Sequence, residues 1–135
     1  MRLGHSHSRD DRGAAAVEFA IVLPVLLLLV FGIIDFGRAL NAQVTLTQAA
    51  REGARLEALD QDDVVNRTQA AATGLSPVPG VSISSSCPDN DDAVVTVTYT
   101  FEFATPVGAI GAMFGGNSYG DPITLTSEGV MPCEG

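Results

Sequence analysis

The stretch from Phe19 to Ile34 holds sixteen consecutive residues without a charge, closed by Glu18 before it and Asp35 after it. At a helical rise of about 1.5 Å per residue it covers only about 24 Å, short of a hydrocarbon core of about 30 Å. Adding Ala14 to Val17 makes it long enough to span, and brings Glu18 into the membrane. A core helix of a soluble domain is apolar along one stripe, whereas "LLLLV" at 26–30 leaves no polar side. Pro24 costs a soluble helix about 3 kcal/mol but is tolerated in membrane helices. Membrane insertion is the reading that satisfies all of these constraints.

A cleaved secretory signal is the nearest rival, with its basic head and apolar middle. It requires small residues at a cleavage site soon after the run. Here "DFGR" follows, and "ALNA" at 39–42 makes a poor site. The helical pattern also continues without proline through good helix formers as far as Asp60. A signal peptide has no use for such an extension. The sequence therefore predicts one helix from the membrane to about residue 59.

Charge agrees with that orientation. The first twelve residues carry Arg2, Arg9 and Arg12 against Asp10 and Asp11, while the rest carries four Arg against fourteen acids. A basic head before an apolar run predicts a cytoplasmic N-terminus and an acidic body outside. The net charge of −9 argues against a nucleic-acid partner, which needs a basic footprint. A chain of 135 residues, part of it given to the apolar run, leaves a modest core and disfavours a large enzyme fold.

Glu18 is then the informative residue, because an acid within a membrane segment points to function by default. The plain alternative is a shallow position with the carboxylate reaching the headgroups. Gly13 lies five residues earlier, between Arg12 and "AAAVEF". A cut after Gly13 would leave an amine on Ala14, one turn from Glu18 at i and i+4. That amine, or a neighbouring subunit's, would neutralise the carboxylate, as a desolvated charge requires.

A short basic leader, a Gly, four small or apolar residues, then Glu, an aromatic and a long apolar helix resembles the prepilin processing motif. Within that group, "RGAAAVEFAIVLPVLLLLVFGIIDFGRALNAQ…AAREGAR" resembles the TadE-like pseudopilins of the Tad (tight adherence, Flp) branch of type IV pilus systems. The resemblance spans about Arg12 to Arg55. It implies that Gly13 ends the leader, that Ala14 begins the mature protein, and that Glu18, followed by Phe19, serves processing or subunit docking. It implies as partners a prepilin peptidase, other pilin subunits, the Tad inner-membrane platform and lipid. No C-terminal motif separates TadE from its relatives TadF and TadG, although the modest length disfavours TadG.

Past the membrane, Ala49, Ala50, Gly53 and Ala54 form a small-residue set that packs helices closely, either on the chain's own domain or on another subunit. Asp60, Asp62 and Asp63 read as the acidic first turn of a second helix over 62–73, ending at Gly74. Their spacing does not match an EF-hand loop. "CPDNDDA" is a polar turn, and its Asp89–Asp92 cluster is the best cation candidate in a chain otherwise without a metal motif.

"LSPVPG" at 75–80 reads as a linker turn. Val95, Val97, Tyr99, Phe101 and Phe103 alternate with Thr and Glu, as in a half-buried strand. Residues 81–87 supply its hairpin partner and 123–130 a third strand. The Gly-rich stretch between them predicts a crossing loop with a helical turn near 109–114. Its Ile110, Met113 and Phe114 either pack on the sheet, the preferred reading, or form an exposed patch. Cys87 and Cys133 both fall outside the membrane, where a disulfide is favoured over two free thiols or an incomplete metal site.

The expected architecture is α+β and pilin-like: a long N-terminal transmembrane and amphipathic helix, a short helix, and a small three-stranded antiparallel sheet. The expected division is a leader over 1–13, a span over 14–35, a helical stalk over 36–74 and a β-rich domain over 75–135. No catalysis or cofactor is expected: both His5 and His7 lie in the leader, and no nucleophile elbow or phosphate loop is present. The leading functional expectation is a minor pilin. Its rivals are an uncleaved single-pass scaffold or binding protein of the envelope, and, more distantly, a secreted ligand-binding domain.

Overall fold

The computed structural model describes residues 10–116 and 120–133. The first nine residues of the expected leader, with His5 and His7, lie outside the described residues, as do 117–119 of the expected crossing loop. Among the described residues the element order is α1 (Asp10–Ala58), α2 (Val64–Ala71), β1 (Gly80–Ser85), β2 (Asp92–Phe101), α3 (Val107–Met113) and β3 (Ile123–Pro132).

The continuous run of helix formers makes α1 a single helix of 49 residues, about 73 Å long, that passes through Pro24 without a break. It ends where the sequence turns polar. The Asp60 amide donates to the Glu57 carbonyl and the Gln61 amide to the Leu56 carbonyl, the crossed pair of a Schellman motif. Asp60 occupies the left-handed position, at φ 49°, where glycine is usual.

The three strands lie in the order β1-β2-β3, all antiparallel. Alternation along β2 turns Ala93, Val95, Val97 and Phe101 toward α1, with Thr98 and Thr100 facing solvent. On α1 the buried residues Asp35, Ala42, Leu46, Ala49, Ala50, Gly53 and Ala54 share one face at spacings of three, four and seven. Leu46, Ala50, Ala54, Val95 and Val97 form the core, flanked by Leu75, Val81, Ile83, Tyr99, Leu125 and Met131. The architecture is α+β, with a sheet laid along the distal half of one long helix.

Two sites show why small residues line this seam. A Cβ on Gly129 of β3 would stand 2.5 Å from the Ala50 carbonyl carbon and 2.9 Å from the Arg51 nitrogen. A Cβ on Gly53 would meet Thr68 Oγ1 at 2.6 Å and Val95 Cγ1 at 2.9 Å. Ala49, Ala50, Gly53 and Ala54 thus face the chain's own sheet and α2 rather than a free surface.

The far end of the sheet is tied by a disulfide between Cys87 and Cys133, 46 residues apart in sequence. Within the intervening turn Asn90 Nδ2 donates to the Ser86 carbonyl, and the Cys133 amide to that of Asp91. Asp89, Asp91 and Asp92 are exposed.

Two local expectations need correction. Asp63 does not cap α2 with its side chain: it sits at φ 62° and accepts from Asn66 Nδ2 instead. The first turn of α2 holds no acid, because the left-handed step at Asp63 turns the preceding aspartates off the helix. Ile110, Met113 and Phe114, in the segment between β2 and β3, also do not pack on the sheet. α3 packs on α1, and among the described residues on no strand; Met113 and Phe114 remain exposed while Ile110 is half-buried.

Candidate functional site

The N-proximal half of α1 carries an 18-residue window of mean hydropathy 2.8 in which no residue is buried. Gly13, Ala14, Glu18 and Phe19 all lie on this bare surface, Phe19 at 60% exposure. The helix places Ala14 and Glu18 on one face a turn apart. Among the described residues Glu18 makes no side-chain hydrogen bond or ion pair. Glu18 and Asp35 stand seventeen residues apart, about 26 Å along the axis, and bracket the uncharged segment at close to one hydrocarbon thickness.

At the second bracket lies a cluster that sequence reasoning missed. Asp35 is 1% exposed, and its carboxylate accepts from the Ala104 amide at 3.3 Å, the Thr105 amide at 3.4 Å and the Thr105 hydroxyl. Arg38, one turn on, donates to it at 3.2 Å and lies over the Phe101 ring at 5.2 Å. Phe101 meets Phe103 edge to face at 5.5 Å. A charge-assisted set of this kind fixes the angle at which the chain leaves β2 relative to α1. Sequence reading took Asp35 only as the end of the apolar run, since its partners lie about seventy residues away.

Two open grooves flank the helix at this level. One, of about 450 Å³, runs beside Ile33, Gly37, Arg38 and Asn41 under Tyr99 and Phe101. The other, of about 350 Å³, is almost wholly apolar and runs beside Gly32, Phe36 and Leu40 under Phe103, Val107 and Ile123. Farther out, Arg55 Nε and a terminal guanidinium nitrogen each donate to Glu52 at 3.0 Å. That hydrogen bonding, then the charges of Arg55 and Arg67, holds the Glu52 carboxyl below its usual range, and the same hydrogen bonds with the Glu52 charge raise Arg55. The pair is exposed and contributes little to stability.

No group of three or more His, Cys, Asp or Glu side chains that could hold a metal occurs among the described residues. The arrangement presents a hydrophobic rod, one acid near its start, and a domain clamped to its outer half. It is suited to binding along a surface.

An uncovered apolar helix carrying a folded domain beyond it fits a single-pass membrane anchor. More particularly, residues 13–55 match the model of the family described as TadE-like protein, from the glycine of the Gly13–Glu18 spacing to the outer turns of α1. No curated protein and no solved structure matches the chain.

Proposed function

We propose that this protein is a minor pilin or pseudopilin of a Tad-type pilus. It is made as a single-pass precursor in the cytoplasmic membrane, with the leader over 1–13 inside, 14–35 spanning, and the stalk over 36–74 and the β-rich domain over 75–135 outside. A prepilin peptidase hydrolyses the Gly13–Ala14 amide, leaving an α-amine on Ala14. Glu18 then pairs with that amine or with one on a neighbouring subunit, and Phe19 packs beside it as the rod enters an assembly of like rods. Its partners are the peptidase, other pilin subunits and the inner-membrane platform of the Tad machine, and its role is structural.

The observation that carries this reading is the TadE-like match coinciding with the bare part of α1 and most of its packed part. The apolar surface needs lipid before assembly and other subunits after it. The test is Glu18→Ala. Membrane insertion should persist, because removing a charge from the segment favours it, while recovery in sheared pilus fractions should fall sharply. Normal incorporation of that variant would show the carboxylate to be incidental, whereas absence of the unaltered protein from pilus fractions would favour an uncleaved anchored scaffold.

A further inference from the structure

The segment joining β2 to β3 carries no charge from Phe103 to Gly120, and Glu102 and Asp121 bound it on either side. It leaves the sheet at the Asp35 cluster and runs back along α1, away from the domain. Val107 borders the apolar groove with Gly32, Asp35 and Phe36. Gly111 and Phe114 border a second one with Val25 and Leu28. From the level of Asp35 to that of Val25 is ten residues of α1, about 15 Å. That is half of a hydrocarbon core of about 30 Å. Met113 and Phe114 are 80% and 61% exposed. They continue the uncovered apolar surface that Val25, Leu26 and Leu29 present on α1 itself.

We propose that residues 103–116 form a re-entrant helical element inserted into the leaflet nearest the β-rich domain, with Met113 and Phe114 against lipid acyl chains. The inference rests on reading α1 as membrane-spanning. Backbone at membrane depth must be satisfied within the protein, and here most donors have acceptors, while the uncapped first turn of α3, Val107 to Ala109, begins at the level of Asp35 at the water end of the segment. The Ala104 and Thr105 amides bond to Asp35, and Pro106 has none to satisfy. Ile110 donates to the Pro106 carbonyl, Phe114 and Gly116 to Gly111, and Gly115 to Ala112. Asp35 then acts as the staple at which the chain turns into lipid, and Glu102 and Asp121 mark the water boundary. Lipid is the occupant because the patch is uncharged, continuous with the lipid-facing surface of α1, and below the last charge of the span.

The test uses the full chain, disulfide intact, in vesicles of phosphatidylethanolamine and phosphatidylglycerol. Nitroxides are placed at Met113→Cys, at Ile21→Cys as a lipid reference and at Glu128→Cys as an aqueous one. Collision rates are read with dioxygen and with a water-soluble nickel chelate. The expected result is a label at 113 that matches Ile21, with nickel collisions several-fold slower than at 128 and dioxygen collisions faster. A nickel-accessible label at 113 beside a lipid-exposed one at 21 overturns the inference and leaves the membrane anchor standing. Nickel access at both sites overturns the anchor and the inference together. Shielding of 113 from both reagents shows a protein contact and also overturns it. Because an added cysteine can disturb the disulfide, the unaltered chain is photolysed with a diazirine-bearing acyl chain in the same vesicles. Labelling of the peptide containing Phe114 is expected, and its absence overturns the proposal.

Discussion

Replacing Gly129 with alanine should destabilise the packing of sheet on helix by about 3 kcal/mol, the upper part of the usual range for overpacking. The obstacle is backbone. The new Cβ would stand 2.5 Å from the Ala50 carbonyl carbon and closer still to its oxygen, and ordinary contact begins at 3.4 Å, so α1 and β3 must separate by at least about 0.9 Å. A radial gap of about 0.5–1 Å already forfeits a quarter to a half of the dispersion energy across it. The gap would open along the Leu46, Ala50, Ala54, Val95 and Val97 core. Gly53→Ala meets only side chains, Thr68 and Val95. Its clash is partly offset by a gain of about 1 kcal/mol in helix propensity, leaving a net cost of about 1 kcal/mol. Gly37→Ala, with nothing within 4 Å, should stabilise by up to about 1 kcal/mol. Hydrogen exchange of the β2 and β3 amides in micelles, read by mass spectrometry, reports each opening free energy. The predicted order of stability is Gly37→Ala, wild type, Gly53→Ala, Gly129→Ala. A Gly129→Ala protein within about 0.5 kcal/mol of wild type would refute the claim of backbone contact at this seam.

Two further outcomes follow from the clamps at either end of the domain. Asp35→Ala leaves the Ala104 and Thr105 amides and the Thr105 hydroxyl without their acceptor. It should cost about 3 kcal/mol locally, with Asp35→Asn roughly half as costly; faster exchange at residues 104 and 105 is the readout, and unchanged exchange would contradict it. Reducing the disulfide releases a loop of 46 residues' separation, worth up to about 4 kcal/mol in the chain-entropy account. A clear fall in unfolding midpoint with dithiothreitol is expected, and an unchanged midpoint would show that the bridge does not hold the domain together.

Residues with local signals were legible and residues with distant partners were not. The uncharged run and the helix formers beyond it specified α1, and alternation along 95–101 specified β2 and its buried face. The family resemblance rested on the end-to-end pattern from Arg12 to Arg55, with Gly13, Glu18 and Phe19 at its head. Asp35 carried no such signal, because an acid ending an apolar run is ordinary and its partners Ala104 and Thr105 are joined to it only by the fold. Periodicity could propose α3, but an apolar turn fits a helix as well as a sheet, so its placement on α1 was not readable. Gly129 did carry a readable clue. A lone glycine inside a strand marks close backbone approach, and "TSEGV" holds one. Asp63 misled because aspartate before a helix usually caps it, whereas this one adopts a left-handed turn.

The central claim is that Gly13 and Glu18 mark a processed docking helix. Mass spectrometry of the N-terminus of the protein isolated from its native membrane and pili tests it most directly. A chain beginning at Ala14 is expected. A chain retaining Met1, or one beginning near Ala42, would contradict it.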